Sequence, residues 1–205
     1  MVLARAEFIP PLENGDRLTV REFERRYEAM SELKKAELIE GVVFLASPVS
    51  LEHSRGHGAL ATWLGVFAAH TSGVSVHTDG SVRLDIDNEY QPDAFLWRVE
   101  GGTAHPGDRG LLDGAPEFVV EVAASSVSRD LFAKKNVYRR AGVREYIVWR
   151  VRDEALDWFE LRDGDYILRQ PDETGIIESV QFPGLRLNVP ALLSGDLAAV
   201  LAEVR

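Results

Sequence analysis

The sequence predicts an α/β fold with a mixed sheet, organised on an αβββαβ core. Three observations carry this. Apolar residues recur at helical spacing from Leu51 to His70, at Leu60, Trp63, Leu64, Phe67 and Ala68. Three extended, apolar or alternating runs follow, separated by turn residues. A second helical segment, DLFAKKNVYRRAG, then stands between the apolar runs EFVVEVA and REYIVWRV. The strand after that helix is free to lie parallel to the one before it, which puts FVVEV near the centre of the sheet.

Taken in order, residues 1–18 read as an arm, because IPPLENGD joins two prolines to a turn sequence that suits neither helix nor strand. Residues 19–205 read as one domain. Thr19 with Glu22 forms a capping box that opens a helix through REFERRYEAM, with Val20, Phe23 and Tyr27 on its apolar side. AELIEGVVFLAS reads as a hairpin around Glu40-Gly41, ended by Pro48. The long helix closes at Ser72-Gly73. VSVHT, SVRLDID and PDAFLWRV, parted at Asp79-Gly80 and near Asn88, read as a run of antiparallel strands. A Gly-rich loop spans Glu100 to Gly114, and Gly142 stops the second helix. ALDWFELRDGDYILRQ reads as a hairpin turned at Asp163-Gly164, and VPALLSGDLAAVLAEV as one amphipathic C-terminal helix.

The 205 residues are 45% hydrophobic and 27% charged, enough apolar material for one globular core. There is no cysteine, which excludes a disulfide framework, a thiolate nucleophile and a sulfur-ligated zinc. Any metal must therefore sit on Asp, Glu, His or backbone oxygens. The opening MVLARAEFIPPLENGD lacks the unbroken apolar stretch of a secretory signal, and no run approaches the ~18 apolar residues of a membrane span. A cytoplasmic protein is expected.

The net charge of -10 weighs against a DNA coat or architectural protein, since binding to phosphate is largely electrostatic. The charge is uneven, however. Arg129, Lys134, Lys135, Arg139, Arg140, Arg144, Arg150 and Arg152 form a basic run broken only by Asp130 and Glu145, and one face of it can meet phosphate. Lys135 and Arg139 are the candidates there for contacting substrate. A Gly-rich phosphate loop, a G-x-S-x-G elbow and an H-E-x-x-H helix are all missing, which removes the commonest nucleotide-binding, serine-hydrolase and zinc-protease readings.

Glu121 interrupts an otherwise apolar strand, so its carboxylate is desolvated at a cost unless paired or bound to metal. Asp93 opens DAFLWRV, and acids on neighbouring strands can converge on one point. Two carboxylates, water and phosphate oxygens suit Mg²⁺, which would polarise a phosphodiester and generate hydroxide. The structural alternative is that Asp93 caps a turn after Pro92 and Glu121 pairs with an arginine. Lys134 shares a helix face with Asp130 and Tyr138, so it either orients water and phosphate or forms a helix pair with Asp130. His53 and His57 stand four apart without a third ligand: packing or capping suits His57, and His53 is a candidate contact at the site's rim. Asp85 and Asp87 read as a solvated strand face.

The segments LTVREFERRYEAM, AELIEGVV, SPVSLEHS, RLDIDNEYQPDAFL and GAPEFVVEVAASSVSRDLFAKKNVYRRAGVREYIVW together resemble the Uma-type restriction endonuclease family of the PD-(D/E)xK nuclease superfamily. QPD, VVEV and the D-x-x-x-K-x-x-x-Y helix followed by AGVREY are the most specific parts. The resemblance implies a restriction-endonuclease-like core. In it Asp93 is the aspartate of the PD motif, Glu121 is the acid of (D/E)xK, and both hold the metal. It also implies that Lys134 replaces the lysine two residues after the acid, where this chain has Ala123. Glu37 and His53 are further family-typical polar positions near the site. This chain departs from the family's Ser-Pro-Ser after VVEV, with Ala123-Ala124-Ser125-Ser126 in its place.

The expected function is thus a Mg²⁺-dependent endonuclease acting on DNA, with Mn²⁺ as a substitute and a homodimer for cutting both strands. A non-catalytic nucleic-acid or protein-binding module on the same fold is the alternative. RNA, single-stranded DNA and branched DNA remain open as substrates.

Overall fold

The structure, a computed structural model, describes residues 8–204; residues 1–7 of the predicted arm lie outside the described residues. Thr19 caps α1 (Val20–Glu28), its hydroxyl oxygen accepting from the Glu22 N–H at 3.5 Å. The Glu22 carboxylate does not reach back to complete the box. It accepts instead from Arg25 and Arg26 at 2.7–2.9 Å, a stronger charge-assisted arrangement. β1 (Ala36–Ile39) and β2 (Val42–Leu45) form the predicted hairpin, with Glu40 and Gly41 at positive φ as a two-residue turn requires. The stretch before α1 runs along β2: Gly15 and Val43 exchange backbone bonds with Val43 and Asp16, each at 2.8 Å, and Leu12 is buried.

α2 (Leu51–His70) starts at Ser50, whose hydroxyl accepts from the His53 N–H. Then come β3 (Val74–Thr78), β4 (Val82–Asp85), β5 (Asn88–Tyr90), β6 (Ala94–Arg98), β7 (His105–Pro106), β8 (Leu112–Asp113) and β9 (Phe118–Ala123). A π-helical turn, Arg129–Lys134, runs into α3 (Lys135–Ala141), which Gly142 ends in a left-handed conformation. The chain finishes with β10 (Glu145–Arg150), β11 (Ala155–Arg162), β12 (Asp165–Arg169), β13 (Ile176–Glu178), β14 (Arg186–Asn188), α4 (Val189–Ser194) and α5 (Leu197–Leu201).

The central sheet has the order β12-β11-β10-β9-β6-β3, with β9 and β10 parallel and the other neighbours antiparallel. α2, β3, β6, β9, the π turn with α3, and β10 make the αβββαβ core. Two expectations change. SVRLDID does not join a meander with its flanking strands. The Asp85 carboxylate accepts from the Asp87 N–H and the Asn88 amide, turning β4 tightly onto β5, and both belong to a second sheet, β2-β1-β5-β4-β8-β7. β3 consequently pairs with β6 across this insertion. The C-terminal segment is two helices, because Gly195 adopts φ 82° and Asp196 caps the second through the Ala199 N–H at 3.0 Å.

β9 is buried on both faces, which explains its unbroken apolar character. Phe118, Val120 and Val122 pack with Leu60, Trp63, Leu64 and Phe67 of α2 and with Leu187 and Val200 from the C-terminal layer. Val119 and Ala123 face the opposite layer, among Tyr90, Tyr138, Tyr146 and Ile39. Glu121 shares that second face by the two-residue alternation of a strand. Trp158 anchors the first layer, fully buried against Trp63 and Phe118 with its indole N–H on Glu145 at 3.0 Å. Trp158→Ala is expected to cost about 3–5 kcal/mol, read as a lower urea midpoint at unchanged slope.

Candidate active site

The register of β6 on β9 pairs Ala94 with Val120, and continuing it places Asp93 beside Glu121. Asp93 stands one residue before β6, where the ladder ends. Its Oδ2 accepts from the Val122 N–H at 2.7 Å, taking over the bond a further strand residue would have made. From β1, the alternation that sends Ala36 and Leu38 into the small core around α1 sends Glu37 the other way, towards Glu121. The Lys134 ammonium joins the two strands, donating to Glu37 Oε1 at 2.8 Å and to Glu121 Oε1 at 2.9 Å. The Tyr138 hydroxyl donates to the same Glu121 oxygen at 3.0 Å, and the Gln91 N–H donates to Glu37 Oε1 at 3.1 Å. Glu37, Asp93, Glu121 and Lys134 are all buried.

These four residues line one cleft of about 220 Å³, together with Lys35, His53, Ser126, Arg129 and Asp130. Asp93 Oδ1 has Lys35 Nζ and His53 Nε2 each at 3.5 Å. Asp130 lies 4.0 Å from Lys134 and accepts from the Ser126 hydroxyl at 2.5 Å. The carboxyl groups of Glu37, Asp93, Glu121 and Asp130 thus share the cleft with the cations of Lys35, Arg129, Lys134 and Arg152, of which Lys35 and Lys134 sit among the acids.

The acids respond differently to these surroundings. Burial raises Asp93, but the hydrogen bond from His53, the Lys35 charge and the Val122 N–H outweigh it and hold the carboxyl well below the usual range. Burial dominates at Glu121 and pushes it up to about 8, against the pull of Lys134. Burial likewise raises Asp130. Burial would lower Lys35, yet Asp93, Glu121 and Glu37 more than compensate and raise it. His53 is raised chiefly by its hydrogen bond to Asp93.

The structure therefore gathers Asp93, Glu121, Lys134, Glu37 and His53, and leaves out Lys135 and Arg139. Lys135 lies over the Phe159 ring at 4.0 Å, and Arg139 donates to the Gly164 carbonyl at 2.7 Å beside Asp165. The structural alternative for Glu121 is corrected in its partner, which is Lys134 rather than an arginine. His57 sits at the edge, 3.9 Å from Asp79. Sequence reasoning missed Lys35, and named Arg129 only as a member of the basic run. Lys35 had a signal, since it precedes Glu37 by two residues and so shares its side of the strand. What singles out Arg129 is the π turn, which the sequence does not show.

The family model described as "Putative restriction endonuclease" (Uma2) matches residues 20–190. The chain belongs to the Uma2 family. A crystal structure described as a putative nuclease belonging to DUF820 from Anabaena variabilis has the same fold, with a TM-score of 0.64 at 13% identity, covering 86% of this chain and 98% of that one. The comparison with curated proteins gives no match. The matched Uma2 segment contains every residue of the cleft, from Lys35 to Arg152. No helix among the described residues is long and apolar enough to cross a membrane.

Proposed function

We propose that this Uma2 protein is a Mg²⁺-dependent endonuclease that hydrolyses phosphodiester bonds in DNA. The observation that carries the reading is the convergence of Asp93, Glu121, Glu37 and Lys134, drawn from separate parts of the chain, on one cleft. The residues suit a hard cation. Lys134 and Tyr138 both bond to Oε1 of Glu121, and Oε2 accepts no hydrogen bond among the described residues. Asp93 keeps Oδ1 free of the backbone bond that fixes Oδ2. Among the described residues no three acid or histidine side chains form a closed cage. An ion held by Asp93 and Glu121 alone keeps several waters, as Mg²⁺ prefers.

Bound there, Mg²⁺ or Mn²⁺ supplies Lewis-acid activation of phosphate and a more acidic water. The chain's own residues do the positioning. Val122 fixes the Asp93 carboxylate, Tyr138 and Lys134 fix Glu121, and Gln91 fixes Glu37. Lys134, held between two acids, keeps its ammonium charged for orienting the attacking water or the scissile phosphate. A cut through both strands requires two such sites, supplied by a homodimer in the cytoplasm.

Incubation with plasmid DNA in Mg²⁺ or Mn²⁺, with and without EDTA, tests this. Nicking that EDTA abolishes and Glu121→Ala lacks is expected, alongside a calorimetric Mn²⁺ binding signal that the same substitution removes. The net charge of -10 favours a second reading, a non-catalytic binding module. A wild type that binds no metal and nicks nothing would establish that reading instead.

A further inference from the structure

Arg129 and Lys134 are five residues apart, which in an α-helix would set them about 140° apart around the axis. They nevertheless line the same cleft. The reason is the π turn: the Lys135 N–H donates to the Asp130 carbonyl, a bond spanning five residues, so side chains five apart come towards one face. Arg129 is held there by packing, its guanidinium 5.2 Å from the centre of the Phe44 ring.

What distinguishes Arg129 within the basic run is a buried donor without an acceptor in a cleft lined by acids. Arg139, Arg140, Arg150 and Arg152 are each bonded to acids or carbonyls, and Arg144 lies outside that cleft. Arg129 has no ion pair among the described residues, and its Nε is buried without a hydrogen-bond partner. Lys35, Lys134 and Arg152, the other cations of the cleft, are already engaged by carboxylates. A planar fork with an unused donor, stacked on an aromatic ring in a cleft, is the geometry that recognises phosphate.

We infer that Arg129 is the phosphate-binding arm of the cleft, its guanidinium contacting non-bridging oxygens of a nucleic-acid phosphodiester. The anion's identity rests on the nuclease reading; the presence of an anion site rests on Arg129 and Phe44. Lys134 acts from its place between the acids, and Arg129 holds the substrate's phosphate.

The test follows the arginine Nε–H signals of the wild-type protein by NMR while thymidine 3′,5′-bisphosphate is titrated in. The Arg129 signal, assigned by its loss in Arg129→Lys, is expected to move saturably. Calorimetry with the same probe should show about tenfold weaker binding for Arg129→Ala and an intermediate loss for Arg129→Lys. A stationary Arg129 signal in a wild type that cleaves DNA overturns the inference and leaves the nuclease reading intact. A moving signal in a protein that cleaves nothing supports the anion site and removes the nuclease reading.

Discussion

Under the proposed mechanism, Asp93→Ala is expected to reduce metal-dependent cleavage by on the order of a thousandfold or more, since losing one of the two carboxylates that would hold the metal removes several kcal/mol of transition-state stabilisation. The fold should survive with a modest penalty. Asp93 also accepts the Val122 N–H, so alanine leaves a buried donor unpaired at a cost of about 1–3 kcal/mol. Asp93→Asn separates the two roles, because the amide oxygen keeps that bond while the charge is gone. Asparagine should melt closer to the wild type than alanine does, yet bind Mn²⁺ as poorly. An alanine variant that still cleaves in Mg²⁺ would refute the assigned role of Asp93.

The second large effect is on stability. Lys134 is the buried ammonium between Glu37 and Glu121. Lys134→Met keeps the volume but leaves two acids facing each other, and breaking such a buried pair costs about 3–5 kcal/mol. The penalty depends on pH with a definite sign. Burial already raises Glu121 to about 8 with Lys134 opposing it, and without the ammonium it rises further. A carboxyl raised in the folded state contributes stability below its unfolded value near 4.3, and loses it as pH climbs through the folded value. Glu121 stays protonated in both folded proteins up to about pH 7. The gap in melting temperature between Lys134→Met and the wild type should therefore be nearly level from about pH 5 to 7, and widen as pH climbs from about 8 towards 10, where the wild-type Glu121 ionises and the variant's does not. A gap that is constant across this range would mean that Lys134 is not the counter-charge of these acids.

Much of this was legible in the chain because the signals were local. Ser50 ahead of an apolar helical stripe marks the start of α2, and Asp163-Gly164 marks the turn of the β11–β12 hairpin at positive φ. Glu121 was conspicuous because nothing else in its strand is polar. The convergence of Asp93 and Glu121 followed from strand alternation once β6 and β9 were neighbours. The division of the extended run between two sheets was not legible. SVRLDID alternates as a meander strand does, and its destination is set by the Asp85–Asn88 turn and by backbone bonds from Val20 and Gly41 to Ile86 and Asp87. Lys135 and Arg139 were named from the basic run alone, which does not tell which of its members the π turn brings to the cleft. Helical hydrogen bonds that span five residues rather than four leave no mark in composition.

That five-residue turn has a consequence for how this segment can change. Between Arg129 and Lys134 the chain carries about one residue more than an uninterrupted α-helix of the same rise would hold. Shortening it by one residue would let ordinary α-helical bonding run through and set Arg129 four residues from Lys134, about 40° apart around the axis, so both would keep the cleft's side. The wider turn absorbs the additional residue without the rotation of about 100° that it would impose on a regular helix. A five-residue spacing does here what a four-residue spacing does in an α-helix.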